Sequence, residues 1–507
     1  MSKNNKILNL NELKNKLFLL KKNKKKIVLC HGVFDLIHLG HIKYFEAAKK
    51  NGDYLVVSLT EDKFVNKGTG RPIFNHFQRA EFLSSIEGID AIVFSPNFSA
   101  VELIKKIKPH YYVKGIEYRD AKKDLTKNIT KEIEEVKKYK GRVIYTNEKV
   151  FSSSNLINQT DLLFNEDQKK FIKRIKDKYS FEQILQYLKE LKSSKIMVIG
   201  ESIIDYYINC EALGKSGKEP YLAFNEVSEQ IFIGGASAIA RQVNEFSNNI
   251  TLLSMVGHKG EYLHFFKKNI PKNVISFFLK KKNSPTIVKK RFIDNVSGYK
   301  IFGSYSINSD NLNKSQDYVL DNFLRKRTKS HDLILVSDYG HGFITDKFAK
   351  NICSKNSFIA LNAQVNAANI GFHTLQKYKK VDAMIINETE LRHEMRNKSK
   401  KILDLARELL LRQNINNLAV TMGSSGVFLL SKNEYLYCPA FGKKVVDKVG
   451  AGDSMLSILS LCLKNKIPKD LSIFLGSLVA ALSIEIIGNK QSVKFDELVR
   501  MIQFSIK

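Results

Sequence analysis

Short runs of consecutive apolar residues, each ending in a glycine or a polar side chain, alternate with stretches of helical periodicity along the chain. KKIVLCHGVFD at 25–35 and SKIMVIGESIID at 194–205 each open one half of the sequence. YLVVSLT and RVIYT follow in the first half, and LILVSDYG, AMIIN and LAVTMG follow in the second. Strands that alternate with helices form parallel sheets covered by helices on both faces. We therefore predict the α/β class, with two tandem Rossmann-like domains built on mostly parallel sheets.

A helical pattern separates the two halves. Ser180 followed by Gln183 fits a capping box. Apolar side chains then recur at helical spacing, namely Phe181, Ile184, Leu185, Leu188 and Leu191. We predict a helical linker over 161–193, packed on one of two domains at 1–160 and 194–507. A dimer helix is the less favoured interpretation of the same segment.

Basic residues outnumber acidic ones in both halves. The chain has 82 Lys and Arg against 51 Asp and Glu, a net charge of +31, which raises the question of a nucleic-acid partner. The lysines are spread along the whole chain together with many asparagines. No basic stretch is interleaved with aromatic residues in the manner of a single-strand binding surface. We therefore expect phosphorylated small molecules, and not nucleic acid, to be the main partners.

The sequence shows no secretory or membrane-spanning pattern. Its first 26 residues lack a long apolar run. The most apolar stretch, IFLGSLVAALSIEIIG, is shorter than a bilayer span and contains Glu485, so we predict a buried helix there. The five cysteines are scattered and have no CxxC spacing, which argues against a disulfide framework and a structural zinc site. We expect a soluble cytoplasmic protein without a membrane partner.

The stretch CHGVFDLIHLGHI, from residue 30 to residue 42, places glycines and imidazoles directly after the first strand. Gly32 permits close approach of the backbone to a ligand, and Gly40 leaves room for a phosphate at a helix start. His38 and His41 supply donors for the charge that develops during phosphoryl transfer. Two ordinary histidines at a helix start are the alternative. The HxGH spacing after a strand and a glycine turn favours a nucleotide site.

Residues 26–160 resemble the cytidylyltransferase-like nucleotidyltransferases. The resemblance rests on HGVFDLIHLGHIKYFEAAKKNGDYLVV followed by NKGTGRPIFNHFQRAEFL, VKGIEY and FSSSNLIN. It implies an HxGH nucleotidyltransferase fold in which His38 and His41 bind the triphosphate and stabilise the transition state. The nucleotide-binding residues that it implies are Gly32, Phe34, Gly40, Lys67, Arg79, Lys114, Ser152, Ser153 and Ser154. The serines alone would equally fit a plain helix cap. HxGH also occurs in class I aminoacyl-tRNA synthetases, but we find no KMSKS-type loop and no anticodon-binding region.

The second half contains DKVGAGD at 447–453. Gly450, Ala451 and Gly452 open a helix, and the free amides of a helix start form an anion hole. Asp453 in the first turn is placed to take a proton from a sugar hydroxyl. A glycine-rich helix entry with a dipole-stabilised aspartate is the alternative.

Residues 194–500 resemble the PfkB/ribokinase family of sugar kinases. FIGGASAIARQVNEF, LILVSDYGHGFIT, IINETE, TMGSSGVFLL and the GAGD run occur in the order of that family. The resemblance implies a ribokinase-like fold with Asp453 as the catalytic base. The substrate-binding residues that it implies are Asp205, Gly234, Gly235, Lys289 and Arg291. The residues that it implies for ATP and the anion hole are Asn387, Glu390, Thr421, Gly423, Gly426, Gly450, Ala451 and Gly452. Asn387 and Glu390 are further expected to arrange Mg²⁺ and phosphates.

Three departures from the kinase pattern are visible. The asparagine that usually follows the glycine pair is Ala238, and Lys448 replaces the threonine of DTVGAGD. LNAQVNAANIGF replaces the usual Asp-Pro-Lys strand end. Because the aspartate and the anion hole are retained, we still expect kinase chemistry, on a sugar that can differ from the family's usual heptose.

Together the two halves resemble the bifunctional heptose-phosphate kinase/adenylyltransferases in reversed order. The resemblance implies an enzyme that phosphorylates a sugar or sugar phosphate with ATP and joins a sugar phosphate to a nucleotide. The product would be an ADP-heptose-type precursor of surface polysaccharide or lipopolysaccharide, with Mg²⁺ at both sites and a homodimeric assembly. CTP fits the first half as well as ATP does, so a CTP-dependent enzyme for a polyol or another sugar phosphate, with a diverged kinase half, stays open. A basic RNA-associated protein with a decayed kinase half is the alternative of another class.

Overall fold

The chain folds into two compact units, Met1–Asn165 and Glu166–Lys507. This computed structural model describes residues 6–65, 71–97, 99–119, 128–146, 164–366 and 368–506. The predicted linker over 161–193 is not a separate unit in this division. The first unit extends to Asn165, and residues 166–193 belong to the second unit.

The first unit is a parallel sheet covered on both faces. Its strands are β1 (Ile27–Gly32), β2 (Tyr54–Thr60), β3 (Ala91–Ser95), β4 (Tyr111–Gly115) and β5 (Arg142–Thr146). Its helices are α1 (Leu10–Lys22), α2 (Leu39–Lys49), α3 (His76–Ser84), α4 (Val101–Ile107) and α5 (Asn128–Lys138). The strand order β3-β2-β1-β4-β5 reverses between β1 and β4. Ligands of open parallel sheets bind beyond the carboxyl ends of the strands at such a reversal.

The apolar run of β1 is buried on both faces of this sheet. Ile27 and Leu29 join a core cluster with Leu13 and Leu17 of α1. Val28 and Cys30 face the opposite cluster, which contains Phe45 of α2. Alternate residues of a strand point to opposite faces, so an uninterrupted apolar run is what a strand between two helical layers requires.

The second unit is built on a larger sheet. Its strands are β6 (Lys195–Gly200), β7 (Ser202–Lys215), β8 (Leu222–Gly235), β9 (Asn249–Val256), β10 (Ile275–Lys280), β11 (Val288–Asp294), β12 (Lys300–Ser306), β13 (Leu333–Asp338), β14 (Phe358–Ala363), β15 (Ala383–Asn387), β16 (Asn417–Thr421), β17 (Val427–Ser431) and β18 (Glu434–Cys438). The main sheet has the order β10-β9-β6-β13-β14-β15-β16-β17-β18. Its pairs are parallel from β10 to β16, and β17 and β18 add an antiparallel edge. The mostly parallel fold predicted from the sequence is confirmed.

Helices cover the main sheet of the second unit. They are α6 (Glu166–Lys178), α7 (Phe181–Glu190), α8 (Ala236–Val243), α9 (Leu263–Asn269), α10 (Lys314–Arg327), α11 (Asp346–Cys353), α12 (Glu388–Met395), α13 (Ile402–Gln413), α14 (Ala451–Lys464), α15 (Lys469–Ser483) and α16 (Phe495–Ile506). The predicted capping box of Ser180 and Gln183 is present at the start of α7. The apolar stretch after 469 forms α15, which is largely buried. Among the described residues, we find no helix with the length and apolarity that a membrane crossing requires.

A second, four-stranded sheet was not predicted from the sequence. Its order is β12-β11-β7-β8, with β7 antiparallel to β8 and parallel to β11. The last five residues of β7 and all of β12 are solvent-exposed, and β12 lacks the continuous apolar run by which the buried strands were found. The parallel pairing of β11 with β7 sets Lys289 opposite Asp205.

Candidate active sites

In the first unit, His38 and His41 form the start of α2, as predicted. His38 is the N-cap, and its Nδ1 accepts a hydrogen bond from the Gly40 amide at 3.1 Å. The His38 amide in turn donates to His41 Nδ1 at 3.3 Å, and the two ring centroids are 4.1 Å apart. A ring nitrogen that accepts a hydrogen bond is unprotonated, so each neutral imidazole carries its proton on Nε2. Burial lowers the pKa of His38 and favours this neutral form.

The turn before this pair differs from the sequence interpretation. His31 and Gly32 are the last residues of β1 instead of a turn. A Cβ on Gly32 would lie 3.0 Å from Cζ of Phe34, so the ring of Phe34 fills the space beside this glycine. Phe34 packs edge-on to His41 at 5.8 Å between centroids. Phe34 therefore packs between Gly32 and His41, and direct contact of Gly32 or Phe34 with a nucleotide stays a prediction.

Lys114 comes from the end of β4, across the strand-order reversal from β1. Lys114 is 8% exposed, and its ammonium lies 3.3 Å from Oε2 of Glu132. Glu132 also accepts hydrogen bonds from the Tyr112 hydroxyl at 2.8 Å and the Ala100 amide at 2.8 Å. Burial acts to raise the pKa of Glu132, but Lys114 and the other donors outweigh it and lower this pKa to about 2. Sequence reasoning named Lys114 but did not identify the carboxylate that holds it, and contact of Lys114 with a nucleotide stays a prediction.

Arg79 is a buried support for the loops around the histidines. It is 1% exposed. Its guanidinium donates to the carbonyls of Phe74 at 2.9 Å and Thr60 at 3.0 Å, to the carbonyl of Val33, and to Asp62. The structure therefore commits these donors to the protein itself. Nucleotide binding by Arg79 stays a prediction that these contacts do not favour.

A second buried support, Asp35, was not identified from the sequence. Arg71 Nε lies 2.9 Å from Asp35 Oδ2, and both side chains are fully buried. The amide of Ile73 also donates to both oxygens of Asp35, at 3.1 and 3.0 Å. This carboxylate therefore joins the loop after β1 to the segment that precedes α3. Lys67, Ser152, Ser153 and Ser154, predicted to bind phosphates, lie outside the described residues.

In the second unit, Asp453 lies in the first turn of α14, as predicted. Gly450 is the N-cap, with φ of +88°, and a Cβ there would lie 2.5 Å from Oδ1 of Asn489. Both its backbone conformation and this close approach require glycine. A Cβ on Gly452 would meet no atom within 4 Å, so the helix start is open on that side. The predicted combination of an open helix N-terminus and a carboxylate is thus present, with Ala451 as the first helical residue.

The carboxylate of Asp453 accepts a hydrogen bond from a residue that sequence reasoning did not assign to the site. The hydroxyl of Tyr339 lies 3.0 Å from both carboxylate oxygens of Asp453. Burial raises the pKa of Asp453 to about 7; the Tyr339 hydroxyl opposes this shift, the nearby Asp205 adds to it, and Lys289 opposes it. The motif DYG that contains Tyr339 was visible in the sequence, but its spacing did not indicate which residue it would meet.

The predicted substrate residues converge between the two sheets. Asp205 Oδ1 accepts from Arg291 Nη1 at 2.5 Å, and its Oδ2 accepts from Asn489 Nδ2 at 3.0 Å. A Cβ on Gly234 would lie 2.3 Å from Oδ2 of Asp205, so only glycine fits beside this carboxylate. Burial lowers the pKa of the Lys289 ammonium, whereas Asp205 acts to raise it. Arg291 is thus paired with Asp205. Asn489, which also contacts Asp205, was not predicted to belong to this site.

Gly235 closes the same turn at the end of β8. It is the N-cap of α8, with φ of +60°. A Cβ there would lie 2.2 Å from the Glu201 carbonyl. The predicted glycine pair thus shapes the backbone around Asp205, and hydrogen bonding of either glycine to a sugar stays a prediction.

Asn387 and Glu390 form a capping box at the start of α12. Asn387 Oδ1 accepts from the Glu390 amide at 2.8 Å, and Glu390 Oε2 accepts from the Asn387 amide at 2.8 Å. Burial raises the pKa of Glu390 to about 7; the hydrogen bonds from Asn387 and Val365 oppose this, and Asp453 adds to it. The NxxE spacing therefore has a structural role as a helix cap. The carboxylate of Glu390 also interacts electrostatically with Asp453.

The remaining predicted ATP residues lie at the end of β16. Thr421 is the last residue of this strand, and its hydroxyl is 3.5 Å from the Ile386 carbonyl. Gly423 and Gly426 bound the turn that connects β16 to β17. Both glycines have positive φ angles, of +59° and +89°. Their contact with ATP stays a prediction.

The departures from the kinase pattern have different consequences. Ala238 lies in α8 and lines a small recess together with Gly450 and Asp453. Lys448 is exposed, whereas the neighbouring Asp447 is buried and accepts from the Tyr207 hydroxyl at 2.6 Å. Asp447 also pairs with Lys300 at 2.7 Å. The substitution at 448 therefore leaves the anchored part of the loop intact, and the one at 238 changes the wall of the site.

The residues around Asp453 fit a Mg²⁺ ion that is held mainly through phosphates. Within the described residues, no group of three or more His, Cys, Asp or Glu side chains is arranged as a metal site. Mg²⁺ in phosphoryl-transfer sites usually takes one or two carboxylates together with substrate phosphates and water. Glu390 is the buried carboxylate placed at the end of β15, beside the amide side chain of Asn387.

Comparison with protein families identifies both halves of the chain. Residues 193–494 match the pfkB family carbohydrate kinases, and residues 29–160 match the Cytidylyltransferase-like family. The crystal structure of phosphofructokinase-2 from Escherichia coli in complex with potassium covers 62% of this chain and 100% of its own, with a TM-score of 0.50. At 14% sequence identity, this likeness shows a shared fold.

Similar curated proteins carry the name Bifunctional protein HldE. The protein from Campylobacter jejuni strain RM1221 is 38% identical over 183 residues, which are 35% of this chain and 33% of that protein. The protein from Aliarcobacter butzleri strain RM4018 is 42% identical over 120 residues, which are 23% of this chain and 25% of that protein. The chain thus matches a third or less of the length of these relatives.

Proposed function

Because this chain belongs to the pfkB family of carbohydrate kinases, we propose that its second unit transfers the γ-phosphoryl group of ATP to a hydroxyl of a sugar or sugar phosphate. The observation that supports this most directly is the buried Asp453 carboxylate at an open helix N-terminus. A carboxylate whose pKa is raised to about 7 is matched to proton transfer near neutral pH. Helix-start amides are suited to hold the charge of the transferring phosphate.

Each residue of the second site has a role in this reaction. Asp453 takes the proton of the sugar hydroxyl while the hydroxyl oxygen forms a bond to the γ-phosphorus of ATP. The bond between the γ-phosphorus and the bridging oxygen breaks, and ADP leaves with its electron pair. Lys289 and Arg291 supply positive charge for a phosphate already on the substrate. Asp205 orients Arg291 and offers an acceptor for sugar hydroxyls. Mg²⁺ held by Asn387, Glu390 and the phosphates would neutralise phosphate charge.

We propose nucleotidyl transfer for the first unit. An oxygen of a sugar phosphate attacks the α-phosphorus of a nucleoside triphosphate, and pyrophosphate leaves. His38 and His41 carry Nε2 protons, because both Nδ1 atoms accept backbone amides. These donors are suited to the charge that develops on the α-phosphate and the departing pyrophosphate. Lys114, held by Glu132, adds positive charge at the same end of the sheet.

Together the two reactions would yield an activated nucleotide sugar. We propose an ADP-heptose-type precursor made in the cytoplasm, supported by the relatives named Bifunctional protein HldE and by the sequence resemblance described above. ATP is the proposed nucleotide of the first unit. The test below also includes CTP, because the matching family is described as Cytidylyltransferase-like.

The test is a cross of ATP and CTP against a panel of sugars, sugar phosphates and polyol phosphates, with pyrophosphate and ADP measured separately. His41→Ala should abolish pyrophosphate release and leave ADP formation intact. Asp453→Asn should do the reverse, so each variant is the folding control of the other. Asp470→Asn is a matched control for the second unit, because Asp470 also lies in the first turn of a helix but pairs with Lys178 and Tyr179. Loss of both activities in either folded variant would contradict two separate sites.

The same panel tests the alternative of an RNA-associated protein. Wild-type protein that releases neither pyrophosphate nor ADP with any substrate, yet binds RNA in a salt-dependent and sequence-tolerant manner, would support it. Homodimer formation stays a prediction, which light scattering of the purified protein tests.

A further inference from the structure

We propose that Tyr339 is a positioning residue that orients the Asp453 carboxylate and keeps it ionised for proton transfer. This inference rests on the proposed kinase function. It concerns a residue of the DYG motif to which neither the sequence pattern nor the family match assigns a role. The residues meet only in the fold, since 114 positions separate them in the chain.

The hydroxyl of Tyr339 is placed symmetrically on the carboxylate. It lies 3.0 Å from Oδ1 and 3.0 Å from Oδ2 of Asp453. A phenol can donate only one proton, so its hydrogen bond restrains the carboxylate without neutralising it. Each carboxylate oxygen keeps further lone pairs, so Asp453 can still accept a hydrogen bond from a substrate hydroxyl.

The backbone of Tyr339 is fixed by several independent contacts. The fully buried Glu201 accepts from the Tyr339 amide at 2.9 Å and from the His341 amide at 3.0 Å. The Tyr339 carbonyl accepts from the side-chain amides of Asn369 at 2.9 Å and Asn366 at 3.0 Å. Tyr339 is 3% exposed. A tyrosine held this firmly can determine where the side chain of Asp453 lies, instead of following it.

The charged groups around Asp453 explain why such a donor is needed. Lys289 lies on one side, with its ammonium 5.6 Å from the centroid of the Tyr339 ring. The negative charge of Asp205 acts with burial to raise the pKa of Asp453. The charge of Asp453 in turn adds to the raised pKa of Glu390. The Tyr339 hydroxyl and Lys289 are the groups that oppose burial. Loss of the hydroxyl should therefore raise the pKa of Asp453 further.

The experiment is the pH profile of kcat/KM for ADP formation in Tyr339→Phe. This parameter reports ionisations of the free enzyme. A base must be ionised to act, so activity falls as the pH drops through the pKa of Asp453. Removing a hydrogen bond to a charged group should move this acidic limb upward by about one to two pH units. From a starting pKa of about 7, activity at pH 7 should fall about five- to fifty-fold and recover near pH 9–10.

The control is Tyr179→Phe, which removes an equivalent hydroxyl. Tyr179 donates to Asp470, in the first turn of α15, at 2.8 Å, and its loss should leave the acidic limb in place. A purely structural role of Tyr339 would lower activity at every pH without moving the limb, and that result would overturn the inference. An unchanged profile in folded Tyr339→Phe would overturn it equally.

Two further measurements keep the inference testable under other outcomes. If Tyr339→Phe does not fold, 3,5-difluorotyrosine introduced at 339 is a stronger donor and should move the limb to lower pH; an unmoved limb then contradicts the inference. Asp453→Asn separates this inference from the proposed function. Absence of ADP formation by the wild-type protein with every sugar and sugar phosphate refutes the kinase proposal itself, and retained ADP formation in Asp453→Asn refutes the role of Asp453 as its base. An inactive Asp453→Asn with an unshifted Tyr339→Phe refutes only the role of Tyr339.

Discussion

Replacing Glu132 by glutamine should destabilise the first unit through the loss of a single buried carboxylate. Glu132 is 3% exposed, and four donors converge on it, from Lys114, Tyr112, Ala100 and Ser99. Glutamine keeps one acceptor oxygen but presents an NH₂ group to the donors on its other side, whichever way the amide is turned. Lys114 would then be buried without its carboxylate, and breaking a buried pair costs about 3–5 kcal/mol.

The lowered pKa of Glu132 gives a second way to calculate the free energy that its carboxylate contributes to folding. The pKa of Glu132 falls from 4.5 to about 2 on folding, because Lys114 and the hydrogen bonds outweigh burial. A shift of about 2.5 units corresponds to about 3 kcal/mol. Because the folded pKa is the lower one, this stabilisation is complete above pH 4.5 and is lost as the pH falls toward 2. The free energy of unfolding should therefore differ between wild type and Glu132→Gln at pH 7 and converge near pH 2.

The assay is a urea titration of the full chain followed by hydrogen exchange and mass spectrometry of peptides from β4 and α5, which reports the first unit alone. We expect a loss of about 3 kcal/mol at pH 7. Glu134→Gln is the matched control on the same helix, because Glu134 is exposed and should change stability by less than about 0.5 kcal/mol. Adding Lys114→Met to Glu132→Gln should restore part of the loss. A deficit below about 1 kcal/mol, or one that is equal at pH 3 and pH 7, would refute the reasoning.

Two other substitutions test the supports of the sites. Gly234→Ala should abolish ADP formation while pyrophosphate release continues, because the added Cβ would lie 2.3 Å from the Asp205 carboxylate. Gly452→Ala is the comparison: its Cβ would meet no atom within 4 Å, so this variant should fold normally. Assays of ADP formation are made on both variants. Arg79→Met should lower the stability of the first unit by about 3 kcal/mol or more, because it leaves buried Arg79 acceptors such as the Thr60 carbonyl unpaired. The KM for the nucleotide of the residual folded Arg79→Met enzyme should change less than twofold, and a large rise in KM with normal stability would instead show direct nucleotide binding.

The helix starts of both sites could be predicted from the sequence, because they depend on neighbouring residues. HxGH places an N-cap and its partner three residues apart, and the structure shows this capping pair. GAGD similarly predicts a helix start, and the structure shows the helix beginning at Ala451 behind Gly450, which has a positive φ. The continuous apolar runs predicted the buried strands for the same reason, since burial on two faces leaves a local signature.

Residues that meet across the fold could not be predicted in this way. Glu132 lies in NITKEIEEVKK, which has the composition of a solvated helix, and only the packing of α5 reveals that one of its carboxylates is buried against Lys114. Tyr339 and Asp453 are 114 positions apart in the chain, so no local sequence pattern indicates that they meet. The four-stranded sheet was missed because β12 is exposed along its whole length and has no continuous apolar run.

Asn387 and Glu390 show how one spacing can serve two purposes. An Asn followed three residues later by Glu is the sequence pattern of a capping box, and the structure contains both of its hydrogen bonds. The same box fixes a buried carboxylate just beyond the end of β15, and the charge of Asp453 adds to burial in raising its pKa. Capping therefore does not argue against the proposed role of Glu390 in holding Mg²⁺, because carboxylates that bind metal ions are themselves commonly held by hydrogen bonds.

The two units hold their reactive groups in the same physical way. In each, a helix begins beyond the carboxyl end of a parallel strand, and a second residue restrains the group at that start, as Phe34 packs on His41 and Tyr339 donates to Asp453. The restraining residue is itself fixed by contacts deeper in the fold. Because a helix start alone leaves side-chain rotamers free, these buried partners supply the orientation that proton transfer and charge stabilisation require. Substitutions of the partners should therefore alter rate more than substrate affinity.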